Sequence, residues 1–215
     1  MSRTNDQLRW HEWNPGLDND HLTLAEVMDT LPASDPNDVP WQVKLLENPD
    51  GWFAFPGAIS LMRHDCIHIL LGRGLRPQDE AFVIGFTMGA SKRVKNWQYR
   101  VFKWATKHFY PKPWNWTEQD LIAFDLGFAK GEEAAAENLE FFPFERFMDL
   151  TIAELRSRLG INAQKLYAVY RKERLMLPDT PASRRLDTEW RSTDPSSIRR
   201  PDAADSDWKK ERKNA

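Results

Sequence analysis

The sequence predicts an all-α protein: a single multi-helix domain with an extended N-terminal arm and a polar C-terminal tail. Apolar residues recur at helical spacing in one segment after another, and several of these segments begin with a helix-capping residue. No alternation of apolar and polar residues bounded by hairpin signals occurs. The length of 215 residues fits one domain with appended segments. We predict an arm at 1–21, a helical domain at 22–176 and a disordered or loosely attached tail at 177–215.

Capping residues and apolar spacing together define the predicted helices. Thr23, Thr117, Thr151 and Asn162 each stand where a side-chain oxygen can accept a hydrogen bond from the first turn of a helix. Gly160 stands where a helix is expected to end. The predicted helices cover residues 24–30, 40–47, 56–71, from 77 onward, 96–110, 118–138, 152–159 and 163–176.

Two of these helices carry glycines four residues apart, Gly85 with Gly89 and Gly127 with Gly131. Residues at this spacing share one helix face, and glycine has no Cβ to hold another chain away. The pairs predict a close backbone approach to another helix or to a ligand. Two tolerated glycines in each helix are the alternative.

Charge, cysteine content and hydropathy restrict the class of function. The net charge of −2 argues against a general nucleic-acid-binding protein, because no overall basic field exists to attract phosphates. Cys66 is the sole cysteine, so an intramolecular disulfide is excluded and a reducing compartment fits. The polar N-terminus is not a secretory signal, and no apolar run is long enough to span a bilayer. We predict a cytoplasmic protein whose membrane contact, if any, is peripheral.

Four residues with metal-ligand chemistry stand at a spacing that brings them together. If 56–71 is one helix, His64 and His68 lie about 40° apart on one face, while Asp65 lies roughly 60° from His68 and 100° from His64. Glycines and a proline break the chain after this helix, so Glu80 arrives from the first turn of the next helix. Cys66 faces away from this group and fits a small buried apolar residue.

Two imidazoles and two carboxylates are a ligand set for a divalent metal, Zn, Fe or Mn. We therefore predict that His64, Asp65, His68 and Glu80 bind the metal and form the catalytic site. A histidine pair that only caps or packs against its neighbours is the alternative interpretation, because short motif matches carry a large false-positive risk.

The segment after this site is basic and aromatic, with no acidic residue from 81 to 117. On a helix over 96–110, one stripe is formed by Trp97, Val101, Trp104 and His108, and Lys103 and Lys107 lie off it. Such a helix is typical of a bilayer surface, where aromatic rings enter the headgroup boundary and cations face anionic lipid. An ordinary surface helix whose aromatic side chains enter the core is the alternative. A single-strand nucleic-acid platform fits poorly with the acidic remainder.

The chain resembles a known family at this motif, the coenzyme Q biosynthesis proteins named for the fourth Coq protein. The hallmark of that family is His-Asp-x-x-His, eleven residues, then Glu, which stands here as His64, Asp65, His68 and Glu80. The resemblance covers about 22–161 and does not clearly cover 91–116. Weaker matches are Glu80-Ala81-Phe82, Gly127 in a helix ending in Gly-Glu-Glu-Ala, and Leu155-Arg156 before Leu159-Gly160-Ile161.

The resemblance implies a helical, often dimeric protein that binds a divalent metal and a long isoprenoid quinone or its precursor lipid. It also implies action on the ring of a polyprenyl quinone precursor at a membrane surface. That action is either removal of the ring carboxylate with hydroxylation of the same carbon, or the organisation of other quinone-biosynthesis enzymes.

Two other functions fit the same residues. A metal-dependent hydrolase is one, because His-Asp-x-x-His is one methylene away from the His-Glu-x-x-His of zinc proteases, although Asp65 is shorter than the usual base. A phosphohydrolase with a His-Asp metal pair would need a further His and Asp, for which the sequence offers no clear residues. The other function is a non-catalytic lipid-binding scaffold in which the ligand cluster is structural.

Overall fold

The computed structural model describes residues 10–32, 61–91, 93–108, 115–134 and 139–186. Within these ranges lie seven α-helices, which we number in chain order as α1 (Leu24–Met28), α2 (Leu61–Leu71), α3 (Pro77–Ala90), α4 (Asn96–His108), α5 (Glu118–Glu132), α6 (Ile152–Leu159) and α7 (Ala163–Met176). The same ranges contain no strand. The all-α prediction is therefore confirmed.

The predicted capping residues define the helix starts that the structure has. Each of three threonines forms a reciprocal capping box, in which threonine and an acidic residue of the first turn satisfy each other's backbone N–H. The pairs are Thr23 with Glu26, Thr117 with Asp120 and Thr151 with Glu154, and Asn162 caps α7 through the Lys165 N–H. Gly160 ends α6 in the left-handed region with φ 66°.

Some predicted bounds differ or cannot be compared. Helix α1 ends at Met28 rather than at residue 30, and α5 ends at Glu132 rather than at residue 138. The predicted helix 40–47 and the first residues of the predicted helix 56–71 lie outside the described residues.

Helix α3 is the centre of the core. Every residue from Gln78 to Ala90 is buried except Glu80, which is half-buried. A helix that is covered on all sides must be surrounded by other elements, and its polar residues need partners within the protein. The position of Glu80 is thus fixed by a rigid, fully packed helix.

Helices α3 and α5 run parallel and touch backbone to backbone. A Cβ added to Gly85 would lie 2.3 Å from the Phe124 carbonyl oxygen, and one added to Gly127 would lie 2.1 Å from the Phe82 carbonyl oxygen. Gly89 and Gly131 meet the opposite helix one turn further along in the same direction. Both glycine pairs therefore serve helix packing rather than a ligand, which settles the choice that the sequence left open.

The end of α2 is buried, and side chains from three other parts of the chain bind its last carbonyl oxygens. The Arg156 Nε donates to the Leu70 carbonyl at 2.8 Å, the Tyr170 hydroxyl donates to the Leu71 carbonyl, and the Asn19 amide donates to the Ile69 carbonyl at 3.4 Å. The last carbonyls of a helix have no partner within the helix, so these bonds replace water. They fix the end of the helix that carries both histidines.

The two predicted terminal segments are packed against the core wherever they are described. Trp13 and Leu17 are buried, although the sequence predicts an extended arm over 1–21. At the other end Leu177, Ala182 and Leu186 are buried, although the sequence predicts a loosely attached tail from 177. Apolar residues in these segments have no period, which is why the pattern does not reveal their packing. Residues 1–9 and 187–215 lie outside the described residues.

Candidate metal centre

His64, His68 and Glu80 converge on one point between α2 and α3. The Nε2 atoms of His64 and His68 are 3.1 Å apart. Glu80 Oε2 is 3.2 Å from His64 Nε2, and Glu80 Oε1 is 3.3 Å from His68 Nε2. The helical spacing of the histidines and the chain break before α3 thus bring three of the four predicted ligands together.

These three distances fit the first coordination sphere of a divalent metal. Two ligand atoms each about 2.1 Å from one ion are roughly 3.4 Å apart at the tetrahedral angle and roughly 3.0 Å apart at the octahedral angle. The observed 3.1, 3.2 and 3.3 Å lie between these two values. The three distances are therefore compatible with Zn, Fe or Mn and do not select among them.

The orientation of His68 is set by the loop that follows α2. Gly72 adopts φ 64°, which ends the helix and turns the chain back. As a result, the Gly74 carbonyl oxygen lies 2.9 Å from His68 Nδ1. A carbonyl only accepts, so Nδ1 carries a proton and donates it, and Nε2 is the ring nitrogen that faces Glu80 and His64. A metal-binding imidazole is held in this manner.

Burial and neighbouring charges shift the pKa values of all three residues in the cluster. Burial, together with the neighbouring His68, lowers the pKa of His64 to about 4, so this imidazole is neutral at physiological pH. Burial also acts to lower the pKa of His68, but the charge of Glu80 outweighs it and raises that pKa above its ordinary value. Burial acts to raise the pKa of Glu80, and the His68 imidazolium outweighs it and lowers that pKa. The charged forms of His68 and Glu80 thus stabilise each other. A bound cation would take the place of the imidazolium charge beside Glu80.

Asp65 does not join the cluster that the sequence predicts it to join. Of the described residues, His64, His68 and Glu80 alone form a group that could hold a metal ion, in which one ligand atom of each lies within 4.8 Å of the others. Asp65 is partly exposed and contributes its charge at longer range, raising the pKa of His68. A protease-like base at the metal is therefore not in place, and no further described His or Asp completes a two-metal hydrolase site.

Cys66 faces away from the ligands, as predicted. Its side chain is fully buried, and Sγ donates a weak hydrogen bond to Met62 Sδ at 3.6 Å. Burial is the main cause that raises the pKa of this thiol to about 12. Cys66 is therefore a buried packing residue outside the ligand group.

The predicted lipid-facing stripe lies on the outer face of α4. Trp97, Val101 and Trp104 are 59%, 38% and 54% exposed, while Phe102 on the opposite face is buried. Lys103 and Lys107 are held in ion pairs with α5, Lys103 with Asp125 at 2.6 Å and Lys107 with Glu118. No described helix is both long enough and apolar enough to cross a membrane.

A buried group of charged residues beside the candidate metal centre is not predicted by the sequence. Arg73 is fully buried between the rings of Phe82 and Tyr170, with its guanidinium carbon 3.8 and 4.3 Å from the two ring centroids. It forms ion pairs with Glu173 and, at 3.4 Å, with Asp79. The sequence feature that could have indicated this buried arginine is its place between Gly72 and Gly74 in a turn. That feature by itself is equally typical of an exposed loop.

The donor set of two imidazoles and one carboxylate is that of non-haem iron and zinc sites with open coordination positions. Comparisons of the chain with protein-family models, with curated proteins and with solved structures gave no match. The assignment of a function therefore depends on the geometry of the site and on its motif.

Proposed function

We propose that this protein binds one divalent metal ion through His64, His68 and Glu80. The observation that carries the proposal is the convergence of three ligand atoms from two helices, with mutual distances of 3.1, 3.2 and 3.3 Å. The hydrogen bond from His68 Nδ1 to Gly74 adds to it, because it holds the ring through Nδ1 and leaves Nε2 beside His64 and Glu80.

The three residues also determine how a substrate reaches the site. The side chains of His64 and His68 are 8% and 1% exposed, whereas that of Glu80 is 26% exposed. The imidazoles therefore close the inner side of the site, and the carboxylate faces the side that is open to a ligand. When bound, the ion supplies Lewis-acid or redox chemistry at its remaining coordination positions.

We propose further that the substrate is the ring of a polyprenyl quinone precursor. The support is the resemblance of His64-Asp65-x-x-His68, eleven residues, Glu80 to the coenzyme Q family. In that proposal the protein either replaces the ring carboxylate, which leaves as CO2, by a hydroxyl group with O2 as the oxidant and oxygen source (one O2 for two rings), or presents the lipid to other quinone-biosynthesis enzymes, and it acts as a homodimer. A non-catalytic lipid-binding scaffold would use the same three ligands structurally.

Metal analysis tests the first proposal. After anaerobic reconstitution with Fe(II), Mn(II) or Zn(II), we expect one ion per chain in the wild type. The His64→Ala/His68→Ala double variant should bind at least about a hundredfold more weakly, because loss of an outer partner alone costs 10- to 100-fold. His21→Ala, which changes an exposed histidine, is the matched control. Native mass spectrometry reports the ion and any bound lipid together.

Two results would contradict this proposal. One is a reconstituted wild-type protein that holds no metal. The other is a double variant that retains the metal as well as His21→Ala does.

We also propose that the outer face of α4 docks on an anionic membrane. The exposed stripe of Trp97, Val101 and Trp104 is flanked by exposed cations at Lys95 and Arg100. Aromatic rings and cations of this kind bind the interface of an anionic bilayer. Because Lys103 and Lys107 are already ion-paired, we assign the electrostatic part of docking to the other cations.

Liposome co-sedimentation tests the docking surface. We expect Trp97→Ala/Trp104→Ala to bind phosphatidylglycerol vesicles about tenfold more weakly or worse, since about 1.4 kcal/mol of apolar contact is a low estimate for two rings. Leu175→Ala is the control, because Leu175 is 78% exposed on α7 and lies outside the stripe. Equal losses in both variants, or a wild type that does not sediment with the vesicles, would contradict the proposal.

A further inference from the structure

The loop between α2 and α3 is held by four buried or partly buried charged side chains, which we call the loop network: Arg73, Asp79, Glu173 and Arg185. Arg73 Nη1 donates to Glu173 Oε1 at 3.1 Å, and Arg185 Nη2 donates to Asp79 Oδ2 at 2.8 Å. Arg73 also reaches Asp79 at 3.4 Å, which joins the two pairs. Two cations and two anions thus balance each other in the interior, where unpaired charge is costly.

Asp79 and Gly74 connect this network to the metal ligands. Asp79 directly precedes Glu80 on the first turn of α3, and its carboxylate is 1% exposed. Gly74 supplies the carbonyl that orients His68. A Cβ added to Gly74 would lie 2.8 Å from Arg185 Nη2 and 3.2 Å from Asp79 Oδ2. Arg185 therefore packs directly on Gly74, whose carbonyl holds His68. It also binds Asp79, the residue before Glu80.

Arg185 also fastens the two ends of the described chain to this loop. Its Nη1 lies 3.2 Å from the His11 carbonyl oxygen and 3.3 Å from those of Glu12 and Trp13. The Trp13 carbonyl oxygen would in turn lie 2.5 Å from a Cβ on Gly74. One guanidinium nitrogen, Nη2, binds Asp79, and the other, Nη1, faces the carbonyl oxygens of the N-terminal segment. The single ammonium group of a lysine cannot make both sets of contacts.

We propose that Arg185 is a positioning residue of the metal centre. It touches none of His64, His68 and Glu80. Through Asp79 it fixes the first turn of α3, and through contact with Gly74 it fixes the carbonyl that orients His68. The affinity and the coordination geometry of the metal therefore depend on the segment after α7. This inference rests on the proposed metal-binding function.

The test uses Co(II) as the probe, because its visible absorption reports coordination geometry and a competing chelator reports its affinity. We expect Arg185→Gln to bind Co(II) 10- to 100-fold more weakly than the wild type and with a changed visible spectrum, as for loss of an outer partner of a metal ligand. Arg185→Lys, which keeps the charge and loses the fork, should fall between the two. Arg184→Gln is the matched control, since Arg184 is exposed and, within the described part of the chain, its side chain donates to the Asp179 carbonyl oxygen alone.

The possible outcomes distinguish the positioning role of Arg185 from the proposed metal-binding function on which it rests. A wild type that binds no Co(II) overturns both. A wild type that binds Co(II), with an Arg185→Gln variant equal to Arg184→Gln in affinity and spectrum, overturns the positioning role and leaves the metal site standing. If far-ultraviolet circular dichroism shows that Arg185→Gln is unfolded, Arg185→Lys decides: weaker binding with a changed spectrum supports the proposal, and wild-type values overturn it.

Discussion

Replacing Glu173 by glutamine should lower the free energy of unfolding by about 3–5 kcal/mol, the cost of breaking a buried ion pair from one side. Glu173 is fully buried and binds both Arg73 and the Gln78 amide. The substitution keeps the shape of the side chain and removes its charge. Arg73 would keep one ion pair, its 3.4 Å contact with Asp79, which Arg185 already shares, beside its ring contacts with Phe82 and Tyr170.

Urea denaturation followed by circular dichroism measures this loss. Glu118→Gln is the matched control, because it makes the same chemical change in an exposed ion pair, and we expect little change in its unfolding midpoint. The double variant Arg73→Met/Glu173→Leu should recover part of the stability, since it leaves no unpaired charge from this pair in the core. A loss in Glu173→Gln no larger than that in Glu118→Gln would refute the energetic role assigned to Glu173.

Gly127→Ala should destabilise the protein by about 2–3 kcal/mol, although alanine is the better helix former by about 1 kcal/mol. The added methyl group would meet the Phe82 carbonyl oxygen at 2.1 Å, and this contact is with backbone, which cannot rotate away. Helices α3 and α5 would have to separate along their whole glycine seam. That separation removes packing from α3, the helix on which Glu80 is placed.

The control for this prediction lies two residues away on the same helix. Ala129 is exposed, so Ala129→Leu adds more volume than Gly127→Ala and should change the free energy of unfolding by about 0.5 kcal/mol or less. Both variants are measured in urea with wild type alongside. Gly127→Ala as stable as the wild type would show that the two helices do not meet in the way described.

Local sequence rules predict most of the candidate metal centre. Four residues advance a helix by little more than one turn, so His64 and His68 must share a face once the helix is recognised. Gly72 adopts φ 64°, a backbone conformation that glycine reaches without the strain a side chain would add. The turn that it makes brings Glu80 back to the two histidines. Asp65 does not reach the ligand group, because it lies roughly 100° around the helix from His64. The buried side of the helix is occupied by His64, and Asp65 is partly exposed.

Contacts between distant parts of the chain are what these rules do not predict. Arg73 and Glu173 stand 100 residues apart, and Glu173 lies in a charged stretch that is typical of a solvated helix face. Residues 177–186 look loosely attached because their apolar residues have no period, yet Arg185 binds across the molecule to Asp79. Charge patterns along one segment do not identify a partner supplied by the tertiary fold.

The parallel arrangement of α3 and α5 has a consequence for the order of folding. Two helices that are consecutive in a simple hairpin are antiparallel and can pair early, whereas parallel helices need a crossover connection, here the segment that contains α4. Phe82 and Gly127 are distant in sequence, so their contact requires the closure of a long chain loop before any packing energy is gained. The helix that supplies Glu80 therefore reaches its final support only after α5 has been made.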